Sequence, residues 1–220
     1  MGPSTRILQV RHELEIHLRQ FDWSGLTSGR KNILNAFLKV ATAEGYGAVT
    51  MRRLAHVLGI KAPSIYTHFP NGRDEIVGQC LRWHYYCFGT AVLEAVKPTQ
   101  DADEFLKALI RVHISHQIQK PENNLWDLLV ASDKIGGFLT SETRSEVNYW
   151  ISLCSKLYEA AAYEYCDMDA ELRGRLALAI LDSASSWTDW NGTSSDIDRL
   201  CNKAFHAVKG IFTFSALTIA

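Results

Sequence analysis

The stretch that most limits what this chain can fold into is Thr50–Phe69, TMRRLAHVLGIKAPSIYTHF. It is punctuated by Gly59 and Pro63, and neither residue type suits a helix interior. Ahead of the glycine, Leu54, Ala55 and Leu58 recur at helical spacing, which gives a short helix one apolar face. Thr50 is placed to cap it, with a side-chain oxygen that can accept from an orphan N–H of the first turn. Gly59 supplies the positive φ that ends a helix at little cost. A second helix begins near Lys61, with Pro63 in the first turn, where a missing N–H is harmless. Its apolar marks are Ile65 and Phe69, and its other face carries Lys61, Ser64, Tyr66, Thr67 and His68. Two short helices around a tight turn, the second with a polar face, predict a helix-turn-helix able to enter a DNA major groove.

A net charge of −1 over 220 residues argues, taken alone, against a nucleic-acid partner. The distribution reverses that. Residues 1–100 hold 12 Lys and Arg against 7 Asp and Glu, and residues 101–220 hold 11 against 17. A basic head on an acidic body suits a DNA-binding segment joined to a separate ligand or partner domain. No apolar run is long enough to cross a membrane, and the first residues lack a signal-peptide core. Gly2 is followed by Pro3, with Arg6 where myristoylation wants a hydroxyl residue. The five cysteines (Cys80, Cys87, Cys154, Cys166 and Cys201) are odd in number and irregularly spaced. A reducing, cytoplasmic setting is expected.

The periodicity predicts an all-α chain. Residues 1–28 form an N-terminal extension with an imperfect amphipathic helix from Ile7 to Phe21, expected to pack on the head or stay loose. Arg6, Arg11 and Arg19 in it are possible phosphate contacts. Residues 29–75 form the helix-turn-helix head, led by an amphipathic helix over 30–44 with Ile33, Leu34, Phe37, Val40 and Ala41 on one face. Residues 76–220 form the body. A long connecting helix runs from Arg73 to about Ala95. Helices follow over 101–119, 122–133, 140 to 163, 167 or 169 to Trp190, and 194 or 195 to Phe214.

The last two helices carry marked apolar stripes: Leu176, Ile180, Ala184 and Trp187 on one, Leu200, Ala204, Phe205, Val208 and Phe212 on the other. Two destinations are open to such stripes, the chain's own core or a second copy meeting it as a four-helix bundle.

Residues 30–77 closely resemble the DNA-binding head of the TetR family of bacterial transcriptional regulators. The resemblance rests on Ile33-Leu34, Ala36-Phe37, Gly45-Tyr46, Thr50, Arg52, Leu54-Ala55, Gly59-Ile60, Ala62-Pro63-Ser64-Ile65-Tyr66 and His68-Phe69. It implies a dimer built on the closing helix pair, a palindromic operator, and a small-molecule effector that releases a repressor from DNA. Carried over residue by residue, it implies that Thr50, Tyr66, His68 and Arg73 hold phosphates, while Arg52, Lys61 and Ser64, with Thr67 beside them, face base edges. Ala62 and Pro63 offer only apolar contact, for which a thymine methyl is the natural partner. Two departures stand out. The turn Phe69-Pro70-Asn71-Gly72-Arg73 is one residue longer than the common form, and Lys61-Ala62 replaces a Ser-Lys pair.

The body offers Phe105, His113, His116, Trp126, Phe138, Tyr149, Trp150, Cys154, Tyr158 and Trp187 as linings for an apolar pocket, which suits a hydrophobic or aromatic effector. Each could equally be an ordinary core residue. No cofactor is expected. Cys80, His84 and Cys87 share one helix face, with His113 and His116 on the next helix, so a metal-sensing variant is the first alternative. An acyl-thioester sensor is the second, on a faint similarity around Trp187–Gly192. A helical enzyme is the third, although no G-x-S-x-G, phosphate-binding glycine loop or H-E-x-x-H occurs.

Overall fold

The computed structural model describes residues 3–119, 126, 129–131, 133, 137, 139–190 and 192–214. Among them every regular element is helical and no strand occurs. Contacts divide the chain into two compact units. One takes Phe21–Cys87 with the described part of Pro121–Tyr149, and the other takes the rest.

In the first unit, α2 (Ser28–Glu44) starts where Thr27 Oγ1 accepts from Arg30 N at 3.3 Å. It buries Ile33, Leu34, Ala36, Phe37, Val40 and Ala41. A 3-10 turn over Tyr46–Ala48 leads to α3 (Met51–Leu58). Thr50 Oγ1 accepts from Arg53 N at 3.1 Å, and Gly59 ends the helix in the left-handed region at φ 66°. The short α4 (Ala62–Tyr66) has Lys61 at its N-cap without a side-chain capping bond. The expected second helix reaching Phe69 is therefore shorter, because Thr67 already closes it.

A three-helix head has little core of its own. Here α5 (Arg73–Val96) adds Ile76, Val77, Cys80 and Leu81, and the later segment adds Trp126, Leu129, Leu139 and Val147. Trp126 is 1% exposed and stacks on Phe37 at 6.1 Å between ring centroids. It packs into the core of the head beside α2. Arg82 on α5 binds Glu142 and Glu146 at 3.1 and 2.6 Å, and Arg144 closes on the buried Asp133 at 2.6 Å. The expected helix over 122–133 lies largely outside the described residues, as does Phe138.

In the second unit, α6 (Ala102–Gln119), the C-terminal part of α7 (Ser141–Tyr163), α8 (Ala170–Asp182), α9 (Ala184–Trp187) and α10 (Ser194–Thr213) pack together. The α10 helix lies against α6 and α8. A Cβ built at Gly174 of α8 would sit 2.6 Å from the Glu159 backbone N and 2.8 Å from Tyr158 C, so α8 and α7 meet backbone to backbone there.

The helix expected to reach Trp190 breaks at Ser183. Ser183 Oγ and Trp187 Nε1 both donate to the Ile180 carbonyl, at 2.9 and 2.8 Å, and Ser186 Oγ donates to the Ser183 carbonyl. Short polar side chains here compete with the backbone ladder.

The leader also departs from expectation. Helix α1 (Thr5–Leu18) belongs to the second unit, where Ile7, Leu14 and Leu18 are buried. Arg11 donates to the Lys97 carbonyl at 2.9 Å, Arg19 pairs with Glu15 at 2.8 Å, and Arg6 lies over the Tyr163 ring. The three leader arginines are engaged within the chain.

Candidate nucleic-acid interface

The head places the residues expected at DNA unevenly. Thr50, Arg52, Lys61, Pro63, Ser64, Tyr66 and Thr67 are exposed, whereas Ala62, His68 and Arg73 are half-buried. The exposed set comes from the start of α3 and from α4, held in place by the burial of Leu54, Ala55 and Ile65 beneath them.

Each side chain has a different freedom. Thr50 accepts from its own helix and keeps its O–H to donate outward. Thr67 spends its O–H on the Ser64 carbonyl at 2.7 Å, which leaves acceptor capacity only. The Tyr66 ring covers Gly72, where a Cβ would come within 3.2 Å of the ring, and its remaining surface is open. The His68 ring packs over Gly29 near the start of α2, so tightly that a Cβ at Gly29 would lie 2.8 Å from two ring atoms.

Arg73 is folded into the head. Nη2 donates to the Tyr46 carbonyl at 2.8 Å, and the guanidinium lies 4.0 Å from the Tyr46 ring centroid. In this position it clamps the α2–α3 connection. The longer turn before α5 accompanies this placement.

A second arginine went unmarked in the sequence. Arg53 meets Glu44 with Nε at 3.1 and 3.2 Å and Nη2 at 2.5 Å. The hydrogen bond from Arg53 holds the Glu44 carboxyl below its usual range. The pair ties α3 to the end of α2. No periodicity announces it, because the two residues lie nine apart across a turn. With Arg53 and Arg73 used to build the head, Arg52 and Lys61 are cations left on its polar face.

The body residues named from sequence divide as well. His113 bridges Tyr158 Oη at 3.1 Å and Asp182 Oδ1 at 2.9 Å. The Phe88 ring sets its edge against His113 and His116, at centroid distances of 5.6 and 5.2 Å. Burial, with Asp182 next, raises the Cys154 thiol to about 12, and burial also lifts Tyr158. Phe105 and Trp150 are fully buried. Tyr149 and Trp187 are exposed. Asp182 was missed because a single acid at a helix end carries no pattern.

Of the stripe residues, Leu200, Ala204, Phe205, Val208, Phe212 and Ala184 are buried inside one chain. They serve its own core, where α10 lies against α6 and α8. Leu176 and Trp187 remain exposed, and Ile180 is half-buried. Among the described residues no group of three or more His, Cys, Asp and Glu is placed to hold a metal ion. Cys80 instead donates to the Leu34 carbonyl, and burial raises its thiol.

Residues 33–80, spanning α2 through the first turns of α5, match the pattern described as "Bacterial regulatory proteins, tetR family". The head of the chain carries the TetR-family DNA-binding pattern. Over most of its length the fold is similar to that of solved TetR-type regulators. A tetR-family regulatory protein from Rhodococcus RHA1 superposes with a TM-score of 0.69 at 17% identity, covering 83% of this chain and 97% of that one. The ketosteroid transcriptional regulator KstR2 of Mycobacterium tuberculosis gives 0.67 at 17% identity, covering 84% and 95%. AibR, solved with isovaleryl coenzyme A and operator DNA, gives 0.65 at 17% identity, covering 84% and 98%. No curated protein matches the sequence. Beyond the head, likeness to these TetR proteins is therefore one of fold. No helix among the described residues is long and apolar enough to cross a membrane.

Proposed function

We propose that this protein is a TetR-family repressor that binds a palindromic operator as a dimer and is released by a small hydrophobic or aromatic effector. The observation that carries the reading is the exposure of Arg52, Lys61 and Ser64 on one helix-turn-helix, while Arg53 beside them is tied to Glu44 and Arg73 after it to the Tyr46 carbonyl. Arginine and lysine pair with guanine O6 and N7, and Ala62 and Pro63 meet thymine methyls, so the half-site contains G and T. Thr50 and Tyr66 hold phosphates and fix register.

The effector reading draws on the His113–Tyr158–Asp182 cluster, a polar group set among Phe88, His116 and buried aromatic rings. Apolar walls with a few placed polar groups are the usual make-up of a small-molecule site. Solved relatives carry isovaleryl coenzyme A or are described as ketosteroid regulators, which supports an acyl or polycyclic effector class. The effector must bind the DNA-incompetent state more tightly to act. For the dimer, the exposed Leu172, Leu176 and Trp187 on α8 and α9 form the face for a second copy.

The test is a selection from random duplexes. It should return an inverted repeat whose binding weakens steeply with salt. Selection of no inverted repeat would overturn the reading. Mass spectrometry of material copurified with the protein then identifies the effector class.

A further inference from the structure

The leader is the part of the chain that the DNA-binding reading does not use, yet it is firmly built. Helix α1 buries Ile7, Leu14 and Leu18. Glu13 pairs with Lys156 at 2.5 Å, and the His17 ring meets the Trp150 ring edge-on at 4.3 Å. Its neighbours are Gly89 on α5, where a built Cβ would lie 3.3 Å from Leu18, and Lys97 just past the end of α5, whose carbonyl takes the Arg11 bond. Leu93 and Lys97 line one groove of about 210 Å³ together with Leu8, Arg11 and Glu15.

Directly after α1, the connecting segment seats two rings on the earlier part of α5. Trp23 meets Trp83 edge-on at 4.9 Å and Tyr86 at 5.8 Å, and Phe21 lies 6.3 Å from Tyr86. The α5 positions touched are thus 83, 86 and 89, with Leu93 lining the groove and Lys97 following the last residue of the helix. Positions 83, 86, 89 and 93 recur every three or four residues and so share one stripe of a helix continuous from Arg73 to Val96.

We propose that residues 4–23 act as a splint along this stripe of α5, stiffening the helix that joins the DNA-binding head to the body, and that this stiffness sets the operator affinity. A helix held on one face by packed rings and an apolar side chain opens and bends less than a bare one. A head preorganised in this way loses less freedom when it meets DNA. The splint stands on packing alone. Its effect on operator affinity rests on the DNA-binding reading above.

The experiment uses the full chain in two double variants, Phe21→Ala/Trp23→Ala and Arg11→Gln/Glu13→Gln. The second leaves every buried apolar residue in place, so it remains informative should the first fail to fold. Hydrogen exchange over residues 83–97 should speed up by about tenfold in each. On the selected inverted-repeat duplex, affinity should fall by about threefold to tenfold with the salt slope unchanged.

Exchange within about twofold of the unaltered protein would overturn the splint. A salt slope reduced by about one in the Arg11 variant would also overturn it, because the leader would then be a phosphate-binding arm. If the unaltered protein binds no duplex, the DNA-binding reading fails, while the exchange result still decides the splint.

Discussion

Arg53 grips Glu44 through two nitrogens, with Nε within 3.2 Å of both carboxylate oxygens and Nη2 at 2.5 Å from one of them. The grip joins the end of α2 to the first helix of the helix-turn-helix, three residues after the Thr50 cap. It makes Arg53 a builder of the DNA-reading surface, while its neighbour Arg52 points away from the fold and stays available.

The Arg53 hydrogen bond depresses the Glu44 carboxyl from its ordinary 4.5. The stabilisation is therefore complete above pH 4.5 and is lost as pH falls through the lower folded value. Glu44→Gln should melt below the unaltered protein at neutral pH, and the gap should close in strong acid. Thermal melts at the two pH values check it. An equal gap at both would remove the charge-assisted bond from the account.

Arg52 and Arg73 should separate cleanly. Arg52→Ala should cost about 1–3 kcal/mol of operator binding and relax one base position. Arg73→Gln loses a hydrogen bond to the Tyr46 carbonyl and a stacked cation, and should cost about 1–2 kcal/mol of head stability. Its salt slope should stay that of the unaltered protein. Titrations of duplex at several salt concentrations, with melts alongside, distinguish the two outcomes.

Gly174→Ala should be among the more damaging single-methyl changes. The new carbon would press on the Glu159 N and Cα atoms, 2.6 and 2.7 Å away, and backbone cannot swing aside as a side chain does. A loss of about 1–3 kcal/mol or more is expected, read as a lower Tm by calorimetry.

Tyr158→Phe removes a hydroxyl bonded to His113 inside the body. The histidine keeps Asp182 but loses one of its two partners, and a buried polar group left unmatched costs about 1–3 kcal/mol. The same variant should weaken the effector that copurifies with the protein, while leaving operator affinity in its absence unchanged. Calorimetry and duplex titration measure the two effects separately.

Leu176→Glu places a charge on the exposed face of α8, where Leu172, Leu176 and Trp187 lie open. Sedimentation should show the unaltered protein as a dimer and the variant as a monomer, because a second copy would have to bury an unpaired carboxylate. A dimer in both would assign the contact to another face.

The sequence by itself determined the helix-turn-helix, since Thr50, Gly59 and Pro63 act locally: a cap, a positive φ and a missing N–H each depend on neighbours a few residues away. It also determined the all-helical body, because three-and-four periodicity is written into each helix separately. The break at Ser183 lay within reach of local reasoning, in the cluster of short polar residues after Ile180, but an apolar stripe running through it masked the signal.

Only the tertiary structure decided which long-range partners those helices choose. Trp126 went to Phe37 in the head, Arg73 to Tyr46, Arg53 to Glu44, His113 to Asp182, and α1 to the body. Amphipathicity tells a helix to bury one face and is silent on what covers it. For the same reason Leu200, Phe205 and Phe212, which read equally well as core or as a contact between copies, were assigned to the core once the chain had folded over them.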